Sequence, residues 1–215
     1  MAQGELCYRG LNLATVLILR MKRCLFPIFY LAASGIKWMK GCSKLKEDGL
    51  MPESFWDSYV GQLRQAVGHR KLIIPSIRAL ILNDLGQLLF IKRRGSRQWA
   101  LPAGGIELDE SIYDCLQREV REETGLEVHQ ATFIALYSGP KHSVVNSYGD
   151  AYQGCEFLFR VDRWSGTIAQ STDETVDAAF FSLNALPQIE PGYWREHQQE
   201  VLGHFRAFQG TPFID

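Results

Sequence analysis

Residues 104–126 read GGIELDESIYDCLQREVREETGL, and this stretch decides the fold. Ser111 followed three residues later by Asp114 is a helix N-cap pair, the hydroxyl taking the third backbone N–H and the acid reaching back. Gly125 supplies the left-handed conformation that ends a helix. The spacing therefore predicts one helix over residues 112–124. At 3.6 residues per turn, Glu119, Glu122 and Glu123 fall within an arc of roughly 100° on it. Three carboxylates so close repel one another unless a cation sits among them, and a hard divalent ion with oxygen ligands, Mg²⁺ above all, is the usual answer. Ile112, Leu116 and Val120 form an adjacent apolar stripe that would pin the helix to a core. Arg118 lies beside Glu122, placed to orient a glutamate rather than to meet substrate.

A Glu-rich helix with interspersed Arg is ordinarily a solvated face laced with weak ion pairs. Here the upstream loop argues otherwise. Leu101-Pro102-Ala103-Gly104-Gly105 runs from an apolar segment into the helix, and such small residues let carbonyls approach a metal and phosphate come near. The skeleton Gly104, Glu110, Arg118, Glu119, Val120, Glu122, Glu123, Gly125 and Leu126 resembles the Nudix box at every fixed position. Seven invariant letters at about one in fifteen each make a chance match on the order of one in 10⁸ per register. The resemblance covers residues 70–208 and implies an α/β fold, a helix/sheet/helix sandwich with a mixed β-sheet. It further implies a Mg²⁺-dependent hydrolase, Mn²⁺ being a substitute, that cuts a diphosphate linked to another moiety.

The same resemblance assigns roles. Glu119 and Glu123 are the expected metal ligands, joined by the carbonyl of Ala103 or Gly104. Glu122 is a further ligand or the acceptor of the attacking water's proton, with Arg118 beside it, and Glu110 steadies the cluster through its partners. Some members supply a general base from a loop before the strand that precedes the last helix. Aligning Ala179–Leu183 with that strand places Glu174 there. Gly104 and Gly105 are expected at the phosphates, and Tyr137, Tyr148, Tyr152 or Trp99 could stack on a base. Lys141 and His142 could meet phosphate, and Pro140 lies near where an ADP-ribose-cleaving subgroup carries a proline. Ala103 and Asp109 stand where glycine is common in the family. ADP-ribose or a nucleotide sugar is expected ahead of a nucleoside triphosphate. The competing class is a non-catalytic nucleotide-sensing module, against which the complete set of box glutamates argues.

The chain has 215 residues and a formal net charge of −1, with no basic stripe, so double-stranded nucleic acid is a disfavoured partner. Five cysteines without C-x-x-C spacing read as reduced thiols of a cytoplasmic protein. The expected partner is a small nucleotide-type molecule, and a homodimer stays open. Residues 1–50 differ from the rest: apolar runs over residues 11–19 and 24–36 are each shorter than the ~20 residues that span a bilayer. Read from Met21, this segment has the outline of a signal peptide. Lys46-Glu47-Asp48-Gly49 can also be encoded by AAGGAGGATGGN, a ribosome-binding sequence just upstream of Met51. Residues 1–50 are therefore expected to be a disordered extension or a mis-assigned start, residues 51–69 a leader helix and residues 70–215 the hydrolase domain. Within these, one amphipathic helix is predicted over 53–68 and a hairpin from 78–83 and 87–92 through Asn83-Asp84-Leu85-Gly86. Strands are predicted at 99–101, 128–137, 155–161 and 179–183, and a closing helix at 193–208. Alternation in residues 155–161 predicts a strand with one face on the core.

Overall fold

The computed structural model describes Leu31–Ala32, Gly35–Ile36, residues 53–146 and residues 148–215. Two compact units are present, Met1–Asp48 and Gly49–Asp215. In the first, β1 (Leu31–Ala32) and β2 (Gly35–Ile36) pair antiparallel. The other expectations for residues 1–50, and the alternative start at Met51, lie outside the described residues. No described helix is long and apolar enough to cross a membrane.

The second unit opens with α1 (Glu53–Asp57) and α2 (Tyr59–Val67) where one helix was expected. Ser58 divides them. Its hydroxyl donates to Phe55 O at 2.7 Å and accepts from Gly61 N at 3.1 Å, closing the first helix while capping the second.

A larger sheet runs β11-β7-β9-β3-β6, built from β3 (Leu72–Ile81), β6 (Ala103–Gly105), β7 (Glu127–Tyr137), β9 (Ala151–Ser165) and β11 (Phe213–Ile214). The short β8 (Ser143–Val145) also pairs with β9. The sheet is mixed: β3 lies parallel to β9 from Leu72↔Tyr152 to Ile81↔Val161, β11 lies parallel to β7, and the other pairs are antiparallel. A smaller antiparallel sheet runs β10-β4-β5, from β4 (Leu88–Arg93), β5 (Trp99–Ala100) and β10 (Thr175–Phe181).

The predicted hairpin is only partly formed. Its turn is present, with Asn83 N donating to Gln87 O at 3.0 Å and Gly86 at a φ of 69°. Past the single bridge Leu82↔Leu88, however, β3 and β4 part into different sheets. Residues 77–81 and 88–91 are buried on both faces, which two covered sheets can satisfy and a half-exposed hairpin cannot.

Two apolar clusters form the layers. On one side, Cys115, Leu116 and Val120 of α3 (Ile112–Thr124) pack with Ile77, Leu89, Ile91, Val128 and Phe159. On the other, Val201 and Leu202 of α4 (Tyr193–Ala207) pack with Leu80, Phe90, Ile134, Tyr137 and Leu158. The result is a helix/sheet/helix sandwich. Strand β9 lies between both layers, so the expected one-sided pattern fails: Leu158 and Phe159 are both buried, on opposite faces, and so is Glu156.

Candidate active site

The box helix spans Ile112–Thr124 as its spacing predicts, and Ser111 and Asp114 form a reciprocal capping box. Gly125 closes it at a φ of 75°. Asp109, just before the cap, holds a φ of 62°, which is why glycine is common at that position and why a short acid can replace it.

Strand β6 pairs with β3 through Ile77↔Gly104 and Arg78↔Ala103, which fixes the loop against the helix. A Cβ at Gly104 would stand 1.9 Å from Glu119 Cδ, so only glycine lets this carboxylate lie against the loop. Glu123, one turn farther on, has no exposed surface. Its Oε2 accepts from Ala103 N at 2.9 Å. Its Oε1 faces Arg93 Nη1 at 2.9 Å in an ion pair but lacks any hydrogen bond of acceptable angle. Burial pushes the Glu123 carboxyl up to about 7, against the pull of Arg93. Burial raises the Glu119 carboxyl as well, and Arg118 opposes it. Glu174, exposed just before β10, completes a group in which Glu119, Glu123 and Glu174 each bring an oxygen within 4.8 Å of the others.

Glu122 stays outside that group. Successive helical residues are turned by about 100°, and this places it on the solvent side, 3.1 Å from Arg118 Nη1. Arg118 is a hub rather than a free cation. It reaches Glu119 Oε1 at 2.6 Å, both oxygens of Glu110 at 2.7 and 3.0 Å, and Gly105 O at 2.9 Å. Those hydrogen bonds hold the Glu110 carboxyl below its usual range. Glu110 also takes Glu107 N at 2.7 Å, so it ties the loop to the helix. The Ala103 carbonyl accepts from Arg93 Nη2 at 2.7 Å. Cys115 is buried, its thiol donating to Gly105 O at 3.3 Å, and serves packing.

Glu119, Glu174, Gly104 and Gly105 line a cleft of about 800 Å³ together with Arg78, Arg93, Tyr152, Tyr193 and Trp194. Tyr137 is among its lining residues yet has no accessible surface. Its hydroxyl lies 2.9 Å from His204 Nδ1, and its ring meets His142 and His197. Trp99 packs edge-on to Phe181, with Lys92 over its ring. Lys141 is drawn to Glu200 and Asp215, and His142 to Asp215. Sequence reasoning missed the polar centre of the cleft. Arg78 holds Glu156 through two hydrogen bonds of 2.8 and 2.9 Å, and His197 Nε2 meets Glu156 at 2.9 Å. Arg78 also lies over the Trp194 ring. Its only sequence signal is a charge inside an apolar strand, which by itself names no partner.

The model of the NUDIX domain matches residues 73–205. An RNA pyrophosphohydrolase of Marinomonas sp. (strain MWYL1) is 40% identical over 65 residues, 30% of this chain and 40% of that protein. One from Pseudomonas savastanoi pv. phaseolicola is 38% identical over 65 residues, 30% of this chain and 41% of its own length. The matched stretch thus spans about two fifths of these curated relatives. Among solved structures, a UDP-X diphosphatase is similar with a TM-score of 0.51 and 20% identity, covering 73% of each chain, which is a likeness of fold.

Proposed function

The chain belongs to the NUDIX family, and from that premise we propose that it is a metal-dependent hydrolase of the diphosphate bond in a nucleoside diphosphate linked to another moiety. The observation that carries the reading is the group Glu119, Glu123 and Glu174, two of them buried, with Glu119 and Glu174 lining a cleft beside a glycine loop. Such a donor set, with one buried oxygen of Glu123 lacking a hydrogen bond, fits a hard divalent cation. Mg²⁺ is the favoured ion, with Mn²⁺ as substitute. Glu119, Glu123 and the Ala103 carbonyl would hold it, which requires Arg93 to give up its contacts there. Once bound, the ion supplies neutralisation of phosphate charge.

The remaining work falls to the chain. Arg118 locks Glu119 to Glu110 and Gly105 and thereby keeps the carboxylate aimed. Glu174, on a loop at the open side, is the group we assign to accept the proton of the attacking water, with Glu122 the other candidate. Gly105, open where a Cβ would stand, leaves room for phosphate, whereas the space at Gly104 is taken by Glu119; Arg93 can meet the phosphate charge. Tyr152 and Trp194 offer aromatic surface in the same cleft for a nucleoside. We place the catalytic unit in residues 70–215, preceded by a leader segment at 51–69, and the protein in the cytoplasm, where such nucleotides are found.

ADP-ribose and nucleotide sugars rank ahead of nucleoside triphosphates as substrates. The curated relatives are named RNA pyrophosphohydrolases, which adds an RNA substrate to the panel. The test is product chromatography after incubation of the full chain with Mg²⁺ and ADP-ribose, nucleotide sugars, dinucleoside polyphosphates, nucleoside triphosphates and a 5′-triphosphorylated oligoribonucleotide. Turnover of at least one, lost in Glu123→Gln, is expected. Binding without turnover of any would overturn the hydrolase reading in favour of a nucleotide sensor.

A further inference from the structure

A second constellation stands apart from the box. His142 ends a short 3-10 helix (Pro140–His142) after β7, His197 and Glu200 lie one turn apart on α4, and Asp215 follows β11. His142, His197 and Glu200 each bring one ligand atom within 4.8 Å of the others. Asp215 Oδ2 lies 2.9 Å from His142 Nε2. Glu200 Oε2 lies 3.4 Å from His197 Nδ1 and 4.0 Å from His142 Nε2. Metal–ligand bonds of about 2.0–2.1 Å set neighbouring vertices of a tetrahedron about 3.3 Å apart. The observed separations bracket that value.

The far sides of both rings are already engaged. His197 Nε2 meets Glu156 at 2.9 Å, and Glu156 is fixed in turn by Arg78. With its Nε2 held on Glu156, His197 turns its Nδ1 toward Glu200 Oε2 at 3.4 Å. His142 Nδ1 meets the Tyr193 hydroxyl at 3.2 Å, which leaves its Nε2 facing Asp215 in the same way. Two ring nitrogens and two carboxylates that converge at these distances form a donor set that one cation can share. A carboxylate behind a histidine is also how metal sites fix the tautomer and raise the ligand's basicity.

We propose that His142, His197, Glu200 and Asp215 bind a divalent transition-metal ion, Zn²⁺ in preference to Mg²⁺, which clamps the 3-10 helix and the segment after β11 to α4. Two imidazoles select against Mg²⁺, and two carboxylates balance the charge of Zn²⁺. Lys141 is the resident competitor, its ammonium 2.9 Å from Glu200 Oε1 and 3.4 Å from Asp215 Oδ2. Its side chain is half-exposed, so an ion that displaced it would leave the ammonium in solvent.

The site is tested on the untagged full chain after chelator treatment, by elemental analysis following gel filtration and by thermal unfolding against added Zn²⁺. One retained equivalent is expected, with a Tm that climbs with Zn²⁺ concentration. Asp215→Asn, at a partly exposed position, should weaken binding at least about tenfold. His142→Gln should abolish it, Lys141→Met should tighten it, and Glu123→Gln in the box should leave it unchanged. Absence of any Zn²⁺-dependent rise in the wild type would overturn the proposal. So would a rise that survives Asp215→Asn and disappears with Glu123→Gln, since the ion would then be bound at the box.

Discussion

Gly104→Ala separates the geometry of the carboxylate cluster from the stability of the fold. An alanine Cβ would lie 1.9 Å from Glu119 Cδ and 2.0 and 2.1 Å from its two oxygens, where contacts under 3.0 Å do not persist. The carboxylate must therefore retreat by about 1 Å or more. What retreats is the end of a flexible side chain, with no backbone atom among the three nearest, so the cost to the fold falls at the low end of the roughly 1–3 kcal/mol that overpacking brings. The strain instead falls on the 2.6 Å bond between Glu119 and Arg118 and on the spacing of the carboxylates. A displacement of about 1 Å at a reacting centre costs on the order of 10²-fold in rate. The expected variant is folded, with a Tm within a few degrees of wild type, and its kcat on the panel's best substrate is about 100-fold lower. The assay is steady-state kinetics beside a thermal melt. If Gly104→Ala keeps kcat within threefold, Glu119 does not act where the structure puts it; if it unfolds, the close approach is to something less yielding than a side chain.

Other perturbations check neighbouring claims. Glu174→Gln should lower kcat by about 10²-fold or more with little change in KM, whereas Glu122→Gln, outside the three-carboxylate group, should cost less; the reverse order would reassign the base. Glu156→Gln leaves Arg78 buried without its counter-charge and should cost about 3–5 kcal/mol in urea unfolding at pH 7. Burial alone would raise the Glu156 carboxyl, but Arg78 and His197 hold it well below the usual range. Its stabilisation is therefore full above the unfolded-state value of about 4.3 and is lost as pH falls below that. Glu156→Gln should flatten this part of the acid stability curve, and an unchanged slope would count against the pairing. Gly203→Ala, in the middle of α4 with nothing within 4 Å of the new Cβ, should stabilise by about 0.4–1 kcal/mol in the same unfolding assay.

Local signals were legible where one segment carries its own evidence. Ser111, Asp114 and Gly125 bound α3 to the residue because capping and the left-handed stop are chemistry of adjacent side chains. Apolar runs marked β7, β9, β10 and α4 within a few residues of their ends. The errors arose where partners distant in sequence decide. Nothing in residues 78–92 says that β3 will join β9 over ten residue pairs while β4 turns to β10. Alternation in 155–161 implied one buried face because the second layer, α4, lies some forty residues later. Arg78, Glu156 and His197 meet only through the register Arg78↔Leu158 and the docking of α4. Each is an unremarkable single letter, so no motif could announce them. Glu174 was reached only by aligning its loop with a family pattern, and the fold then brought it beside Glu119 and Glu123.

The two buried carboxylates of the cluster are compensated unequally, and the difference says where a cation belongs. Glu119 is met by Arg118, which is itself anchored to Glu110 and Gly105 and cannot leave without breaking the loop. Glu123 has the Ala103 N–H on Oε2 and, as its one positive partner among the described residues, Arg93 on Oε1, through an ion pair without hydrogen-bond geometry from a side chain more than a third exposed. Even so aided, the Glu123 carboxyl stays pushed up to about 7 by burial. A fully buried acid in that state costs the fold free energy that a tighter counter-charge would recover. The group is thus closed where Arg118 meets Glu119 and exchangeable where Arg93 meets Glu123 Oε1 and Ala103 O, close to Glu174. A hard cation entering there replaces the partly exposed Arg93 guanidinium while Arg118 and its partners keep their places, so the carboxylates are positioned before the ion arrives.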